Sequence, residues 1–207
     1  VFWLALTKKA EKMLSLGRFN TPARALYFDY MTTVNIKRRV FQLIQMSTLI
    51  DIVRNDVCAF LESNDELLFN ERDFQMHLAT WLRNSANSYD DVDVEYYVPW
   101  QELQKVGKYV WESELRLDVV VKKDGEYCPV ELKYKTKKVE RKISRFDEDL
   151  TVDVVVMKNQ GAQDLGMYDF WKDVRRVELV RNRFKRVKGG LAIFVTNDDF
   201  YVRGSRE

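Results

Sequence analysis

One stretch of the sequence decides the fold: Arg116-Leu117-Asp118-Val119-Val120-Val121-Lys122-Lys123-Asp124-Gly125-Glu126-Tyr127-Cys128-Pro129-Val130-Glu131-Leu132-Lys133. Two extended apolar runs flank Asp124-Gly125, a dipeptide that readily adopts the positive φ angles of a tight primed turn. The stretch therefore predicts a β-hairpin. With the turn centred on that dipeptide, Asp118 faces Glu131 and Arg116 faces Lys133.

The two faces of this hairpin differ in composition, because side chains alternate between the faces of a strand. Asp118, Glu131 and Lys133 share one face. The opposite face is apolar and is predicted to pack on the core; it carries Leu117, Val119, Val121, Val130, Leu132 and Tyr134. Pro129 lacks a backbone donor, so a bulge at this residue would shift the predicted register.

The polar face predicts a metal site. Asp118 and Glu131 repel each other across the hairpin, and a divalent cation removes that repulsion. Mg²⁺ usually takes only one or two carboxylates from a protein. Lys133 is then placed to position an attacking water or to stabilise charge on a phosphoryl oxygen. The alternative is an ordinary solvated face on which Lys133 pairs with its neighbours.

The order Asp118, hairpin, Glu131-Leu132-Lys133 resembles the PD-(D/E)xK nuclease superfamily, which has the restriction-endonuclease-like fold. The resemblance covers residues 69–202 in order of elements, with Leu117 where the motif has proline. It implies that Asp118 and Glu131 bind Mg²⁺ or Mn²⁺ and that Lys133 orients the attacking water. It also implies a nucleic-acid substrate, with DNA favoured over RNA.

A helix with a glutamate is predicted before the hairpin. Asn70 caps residues 71–85, with Asp73 in the capping-box position, and the core stripe consists of Phe74, Leu78, Trp81 and Leu82. Glu71 points to the same side as that stripe. It either interacts with the helix N-terminus or reaches the metal site. The resemblance implies the second, because the family's first core helix often carries such a glutamate, and Glu71 is then a catalytic residue and metal ligand.

Other periodic segments predict an α/β fold with a central mixed β-sheet flanked by helices. Strands are predicted over 91–98, 191–196 and 200–202. A long helix is predicted over 162–185, with a buried side formed by Leu165, Tyr168, Trp171, Val174, Val177 and Phe184.

Residues 1–64 are predicted to form an all-helical N-terminal extension, and residues 65–207 the nuclease core. The helices of the extension are predicted over 3–16, 21–31 and 36–62. Their apolar spacing is typical of packing against the core. The alternative is an appendage that binds a target or forms a homodimer.

Basic residues after the Glu131-Leu132-Lys133 element predict contacts with a phosphate backbone; they are Lys135, Lys137, Lys138, Arg141 and Lys142. The alternative is a solvated loop or short helix. Gln163 is similar to a glutamine that several branches of the superfamily place on the following helix. The residues at the end of that helix form a second basic group, which either stabilises the negative end of the helix dipole or binds phosphate. Its members are Arg181, Arg183, Lys185, Arg186 and Lys188.

Composition supports a folded domain and argues against several classes of protein. The chain has 207 residues, of which 46% are hydrophobic, and a net charge of +2, so binding of nucleic acid depends on local clusters. A single histidine, His77, argues against zinc and histidine-based nucleases. Cys58 and Cys128 show no metal or disulfide spacing. No segment approaches the roughly 18 apolar residues of a membrane span, and a cytoplasmic location is predicted.

Two other functions stay open at the level of sequence. One is a non-catalytic nucleic-acid-binding or assembly module that kept the fold. The intact set of Asp118, Glu131 and Lys133 argues against it. The other is an interaction protein built on the N-terminal helices. Neither alternative predicts a Mg²⁺ or Mn²⁺ site near Asp118.

Overall fold

A computed structural model describes residues 2–6, 48–64, 67–108 and 114–203. The main elements in chain order are β1 (Phe2–Leu6), α1 (Leu49–Ser63), α2 (Glu71–Arg83), β2 (Asp91–Val98), α3 (Trp100–Gln104), β3 (Leu115–Lys123), β4 (Glu126–Lys135), β5 (Val139–Arg141), β6 (Ser144–Arg145), β7 (Glu148–Asp149), β8 (Val154–Met157), α4 (Gln163–Arg183), β9 (Leu191–Thr196) and α5 (Phe200–Arg203).

The sheet is mixed, as the sequence predicts for an α/β protein. Strands β2, β3 and β4 form an antiparallel meander, and β9 lies parallel to β4. Strand β1 adds a fifth, parallel strand at the β9 edge, which gives the order β1-β9-β4-β3-β2. The basic segment between β4 and α4 forms two small antiparallel pairs, β5 with β8 and β6 with β7, instead of the loop or short helix considered from sequence.

The β3–β4 hairpin has the predicted turn and register. Asp124 and Gly125 have φ angles of 50° and 74°, as a primed turn requires. Backbone pairing runs without a shift from Lys123–Glu126 to Val119–Val130, and Val120 pairs directly with Pro129. Pro129 therefore causes no bulge. The backbone ladder ends at Val119–Val130, one step before Asp118 would pair with Glu131.

Helices cover both faces of the sheet. Helices α1 and α2 pack on one face, in a cluster that includes most of the predicted apolar face of the hairpin. Helices α3 and α4 pack on the other face. Leu117 is an exception, because it packs on the α3 and α4 side. The change of side coincides with Glu95 of β2, which lies opposite Asp118 and has a φ of 53°.

The N-terminal part differs from the predicted extension. Residues 3–6 belong to β1 and are not helical, because a short apolar run fits either structure and the pairing with β9 decides it. Helix α1 begins at Leu49 with Thr48 as its extended N-cap, so a continuous helix over 36–62 is wrong at that residue. The rest of the predicted extension, 7–47, lies outside the described residues.

Helix α1 packs into the same hydrophobic cluster as α2 and the sheet. Its buried residues are Leu49, Val53, Val57 and Phe60. The predicted division into 1–64 and 65–207 stays a prediction, as does a homodimer formed through the N-terminal helices.

Three further local predictions are wrong. Residues 200–202 lie in α5 instead of a strand, because the Asp198 carboxylate accepts the Phe200 backbone N–H and starts a helical turn. Trp81 of α2 is partly exposed. The predicted buried side of α4 fails in its first half, where Leu165, Tyr168 and Trp171 are exposed.

Candidate active site

Where β3 separates from β4, two backbone N–H groups of β4 donate hydrogen bonds to carboxylates instead of to carbonyl groups of β3. The Asp118 Oδ2 atom accepts a hydrogen bond from the Leu132 backbone N–H at 2.6 Å. The Glu71 Oε2 atom, at the first residue of α2, accepts one from the Tyr134 backbone N–H at 2.8 Å. Residues from α2 and β3 are thereby fixed against the same edge of β4.

Glu131 lies beside Asp118 in a buried position. It is 3% exposed, and its Oε1 atom has no hydrogen-bond partner within the described part of the chain. Burial, followed by the negative charge of Asp118, raises the pKa of Glu131 well above its usual range, and a protonated Glu131 donates a hydrogen bond to Asp118. Burial also raises the pKa of Asp118. The two acids are therefore poorly compensated, and a proton or a cation would stabilise them.

Lys133 lies next to these acids as a cation. Its Nζ atom is 3.0 Å from Asp173 Oδ2 and 3.8 Å from Glu71 Oε1. Burial lowers the pKa of Lys133, but the charges of Asp173 and Glu71 outweigh burial and raise the pKa above its usual value. Lys133 is thus an ammonium group at neutral pH, which can donate hydrogen bonds but cannot accept a proton.

Asp173 of α4 is a site residue that the sequence reasoning missed. It is buried, and its Oδ1 atom also pairs with Arg176 Nη1 at 3.1 Å. Asp173 is four and seven residues before Val177 and Val180, so it lies on an apolar stripe of the helix. Glu71 was identified by the same kind of spacing. That signal was missed because the predicted stripe ran through Trp171, which the structure leaves exposed.

Gln75 and Glu95 were also missed. The buried Gln75 amide donates hydrogen bonds to the Asp118 backbone carbonyl at 2.7 Å and to Glu95 Oε1 at 3.0 Å. Gln75 lies one helical turn after Glu71, so its spacing could have identified it. Glu95 gave no signal in the sequence. Its positive φ is unfavourable for a residue with a side chain, and such strain is concentrated at functional sites.

Two acids of the site, Asp118 and Glu131, have the chemistry needed to bind a hard cation. Across the described ranges, no group of three or more His, Cys, Asp or Glu side chains is arranged to hold a metal ion. Glu71 as a metal ligand stays a prediction, because its two oxygens face the Tyr134 amide and Lys133. Asp118 and Glu131 remain, and the unpartnered Glu131 oxygen is the kind of donor that Mg²⁺ or Mn²⁺ takes.

The predicted nucleic-acid contacts fall into two groups. Lys137 and Gln163 both contact the buried Asp198 carboxylate, at 2.9 and 3.4 Å, and so join the end of β4 and the start of α4 to it. Lys138 pairs with Glu140 on the surface. Three residues have no such partner within the described ranges, and the last two of them are exposed: Lys135, Arg141 and Lys142.

No helix in the described residues has both the length and the apolar content needed to cross a membrane. A comparison with known proteins gives no match: no family model, no curated protein and no solved structure matches this chain. The function must therefore follow from the chemistry of the residues themselves.

Proposed function

We propose that this protein is a metal-dependent nuclease that hydrolyses phosphodiester bonds, with DNA as the favoured substrate. One observation carries the proposal: Asp118 and Glu131 lie together in a buried position beside the ammonium group of Lys133, and the Glu131 Oε1 atom has no hydrogen-bond partner among the described residues. Such a site attracts a hard cation and, next to it, an anionic phosphate.

The carboxylates of Asp118 and Glu131 would hold the ion. Mg²⁺ or Mn²⁺, when bound, lowers the pKa of a water molecule and offsets charge on the phosphate. Gln75 fixes the backbone of Asp118 through its amide, and the Leu132 N–H fixes the carboxylate of Asp118. Asp118 is therefore held in place from two directions before any ligand arrives.

Lys133 would orient the attacking water or donate to a phosphoryl oxygen. An ammonium group has three donors, and its contacts with Asp173 and Glu71 leave a donor for the substrate. Asp173 acts as a positioning residue, because it holds the Lys133 side chain and keeps it charged. Glu71 shares that role, whether or not it also contacts the ion.

The restriction-endonuclease-like fold is part of this proposal. It is supported by the meeting, at one place on the sheet, of the elements that carry the motif residues. These are α2 with Glu71, β3 with Asp118, and β4 with Glu131 and Lys133.

A non-catalytic nucleic-acid-binding module is the second candidate. The observation that favours it is the double pairing of Lys133, since Asp173 and Glu71 already compensate its charge. In that case the cluster stabilises the fold without taking part in catalysis.

Cleavage and metal binding test the proposal together. Single- and double-stranded DNA and RNA would be incubated with the protein, with and without Mn²⁺, and Mn²⁺ binding would be followed by calorimetry. Asp118→Asn should lose both cleavage and the bound ion, whereas Asp153→Asn, in an exposed loop, should keep both. Binding of nucleic acid with neither cleavage nor a Mn²⁺ site would favour the second candidate.

A further inference from the structure

A pocket of about 380 Å³ opens between strands β2–β4 and the C-terminal end of α4. Four aromatic side chains line it: Tyr96, Tyr97, Tyr127 and Phe184. We refer to it as the aromatic pocket. Its volume lies within the range of small-molecule sites, about 300–1,000 Å³, so it admits a single planar group and excludes a duplex.

Cations accompany three of these rings. The Arg116 guanidinium lies 5.9 Å from the Tyr97 ring centroid, the Lys122 ammonium 5.9 Å from Tyr127, and the Arg183 guanidinium 5.2 Å from Phe184. Aromatic rings that alternate with cations are the composition of surfaces that bind single-stranded nucleic acid.

Two more cations line the rim, and neither has a counter-charge in the described part of the chain. Lys185 and Arg186 are exposed and border the pocket. They form no ion pair with the described residues, whereas Arg116 pairs with Glu114 and Arg183 with Glu102. The rim thus carries positive charge that an anionic ligand would balance. The side chain of Tyr97 is 50% exposed, so its ring is available for stacking.

The aromatic pocket lies on the same face of the sheet as the candidate active site. Pro129 lines it and is two positions along β4 from Glu131, and β4 alternates regularly here, since Cys128, Val130 and Leu132 all pack on the α1 and α2 side. Two strand positions correspond to about 7 Å on one face. Val180 of α4 also lines it, two turns after Asp173, or about 10 Å. A group in the pocket therefore lies about 7 to 10 Å from the acids, which corresponds to a few nucleotides at most along one strand.

We propose that the aromatic pocket binds an unpaired nucleobase, with Lys185 and Arg186 contacting the phosphates beside it. The inference rests on the proposed nuclease function and specifies its substrate class: a DNA or RNA strand with a single-stranded segment near the cut. A paired base would first have to leave its stack at a cost in free energy, so a fully paired duplex gains nothing from the pocket.

Binding without a divalent metal tests the pocket separately from cleavage. Fluorescence anisotropy would compare oligo-dT, oligo-U and an abasic strand, each of about 12 nucleotides. Tyr97→Ala should raise the Kd for oligo-dT, oligo-U or both about tenfold and leave the abasic strand unchanged. Tyr97→Phe keeps the ring and should bind like the parent. Trp171→Ala is the matched control, because Trp171 is also 50% exposed but lies outside the pocket.

Several results would overturn the proposal. These are equal weakening of the base-containing and abasic strands, no effect of Tyr97→Ala, an equal effect of Trp171→Ala, and no binding of any oligonucleotide by the parent. Thermal melts would check that each variant is folded. If Tyr97 contributes to binding and no strand is cut with Mn²⁺, the pocket stands and the nuclease proposal fails. If strands are cut and Tyr97 has no effect, the nuclease stands and the pocket fails.

Discussion

Two groups of acids in this protein differ in how their carboxylate oxygens are satisfied. The Asp56 carboxylate of α1 accepts hydrogen bonds from Ser85 Oγ at 2.6 Å, Asn87 Nδ2 at 2.8 Å and Tyr89 Oη at 2.6 Å. All three donors come from the connection between α2 and β2. This Asp56 cluster fastens α1 to the rest of the domain.

The acids of the candidate active site face one another. Asp118 and Glu131 lie side by side, Asp173 is close enough to raise the pKa of Glu131, and Glu131 Oε1 has no donor among the described residues. In the Asp56 cluster, neutral donors satisfy the carboxylate oxygens. In the candidate active site, the negative charge of the acids exceeds the positive charge of Lys133 and Arg176. Under the proposed function, the contrast separates acids that stabilise the fold from acids that would bind a metal ion.

Removal of the lysine should break the candidate active site most severely. Lys133→Ala should reduce Mn²⁺-dependent cleavage about 10²–10³-fold, the usual effect of deleting one donor to a reacting oxygen. It should also lower the free energy of unfolding by about 3 kcal/mol, because Asp173 loses a buried partner. Initial cleavage rates and urea titrations would measure both. The exposed Lys105→Ala serves as control, and unchanged cleavage in Lys133→Ala would remove the lysine from the mechanism.

Removal of Asp56 should affect stability alone. Asp56→Ala leaves three side-chain donors without an acceptor and should lower the free energy of unfolding by about 2 kcal/mol. Asp56→Asn keeps one acceptor oxygen and should lose less. Urea titration measures the difference, and the folded variant should cleave like the parent. A stability equal to that of the parent would mean that the cluster does not fasten α1.

Neutralising an acid of the candidate active site should raise the free energy of unfolding instead of lowering it. At a pH above the folded pKa of Glu131, Glu131→Gln should raise the free energy of unfolding in EDTA by about 1 kcal/mol, a common scale for a point substitution, because it removes a buried charge beside Asp118. It should also abolish Mn²⁺ binding in calorimetry. Glu140→Gln, on the surface, should change neither. A lower stability in EDTA would show that the Glu131 charge stabilises the metal-free fold.

The raised pKa of Glu131 also predicts how stability depends on pH. Because the pKa of Glu131 is raised in the folded protein, folding takes up a proton between the unfolded and folded pKa values. Metal-free stability should therefore rise as the pH falls through the folded pKa, until the unfolded pKa is reached. Glu131→Gln should flatten that part of the profile, measured as thermal midpoints in EDTA from the unfolded pKa of a glutamate upward through neutral and alkaline pH. An unchanged profile would contradict the assignment.

The smallest effect is expected from the basic segment after β4. The double variant Arg141→Glu and Lys142→Glu should reduce the salt dependence of duplex binding, by about 0.9 in log–log slope for each phosphate that the protein no longer neutralises. Lys137→Gln should change the slope little, because Lys137 already pairs with Asp198. Anisotropy titrations at several salt concentrations measure both, and equal slopes for all three proteins would show that these charges only contact solvent.

The sequence predicted the parts of the fold that local chemistry determines. Asp124-Gly125 set the hairpin turn, and Asn70 caps α2 by accepting the Asp73 backbone N–H. The errors at residues 3–6 and 200–202 concern short apolar runs, whose periodicity fits helix and strand alike. Their structure is decided by a distant partner, β9, and by the Asp198 cap.

The candidate active site was predicted as far as one hairpin and one helix allow. Asp118, Glu131 and Lys133 follow from alternation along the strands, and Glu71 follows from its place on the apolar stripe of α2 together with the resemblance to the nuclease superfamily. Asp173 and Glu95 come from elements whose docking depends on the whole fold. Their proximity to Lys133 and Asp118 is a tertiary property that no local pattern encodes.

The separation of β3 from β4 has a spectroscopic consequence. The Leu132 and Tyr134 amides donate to charged side chains instead of to backbone carbonyls. The amide resonances in a ¹H–¹⁵N spectrum would respond to any change in the charge of Asp118 or Glu71, even without backbone movement. Two peaks from the middle of the sheet would thus report ion binding or protonation residue by residue, with no substrate present.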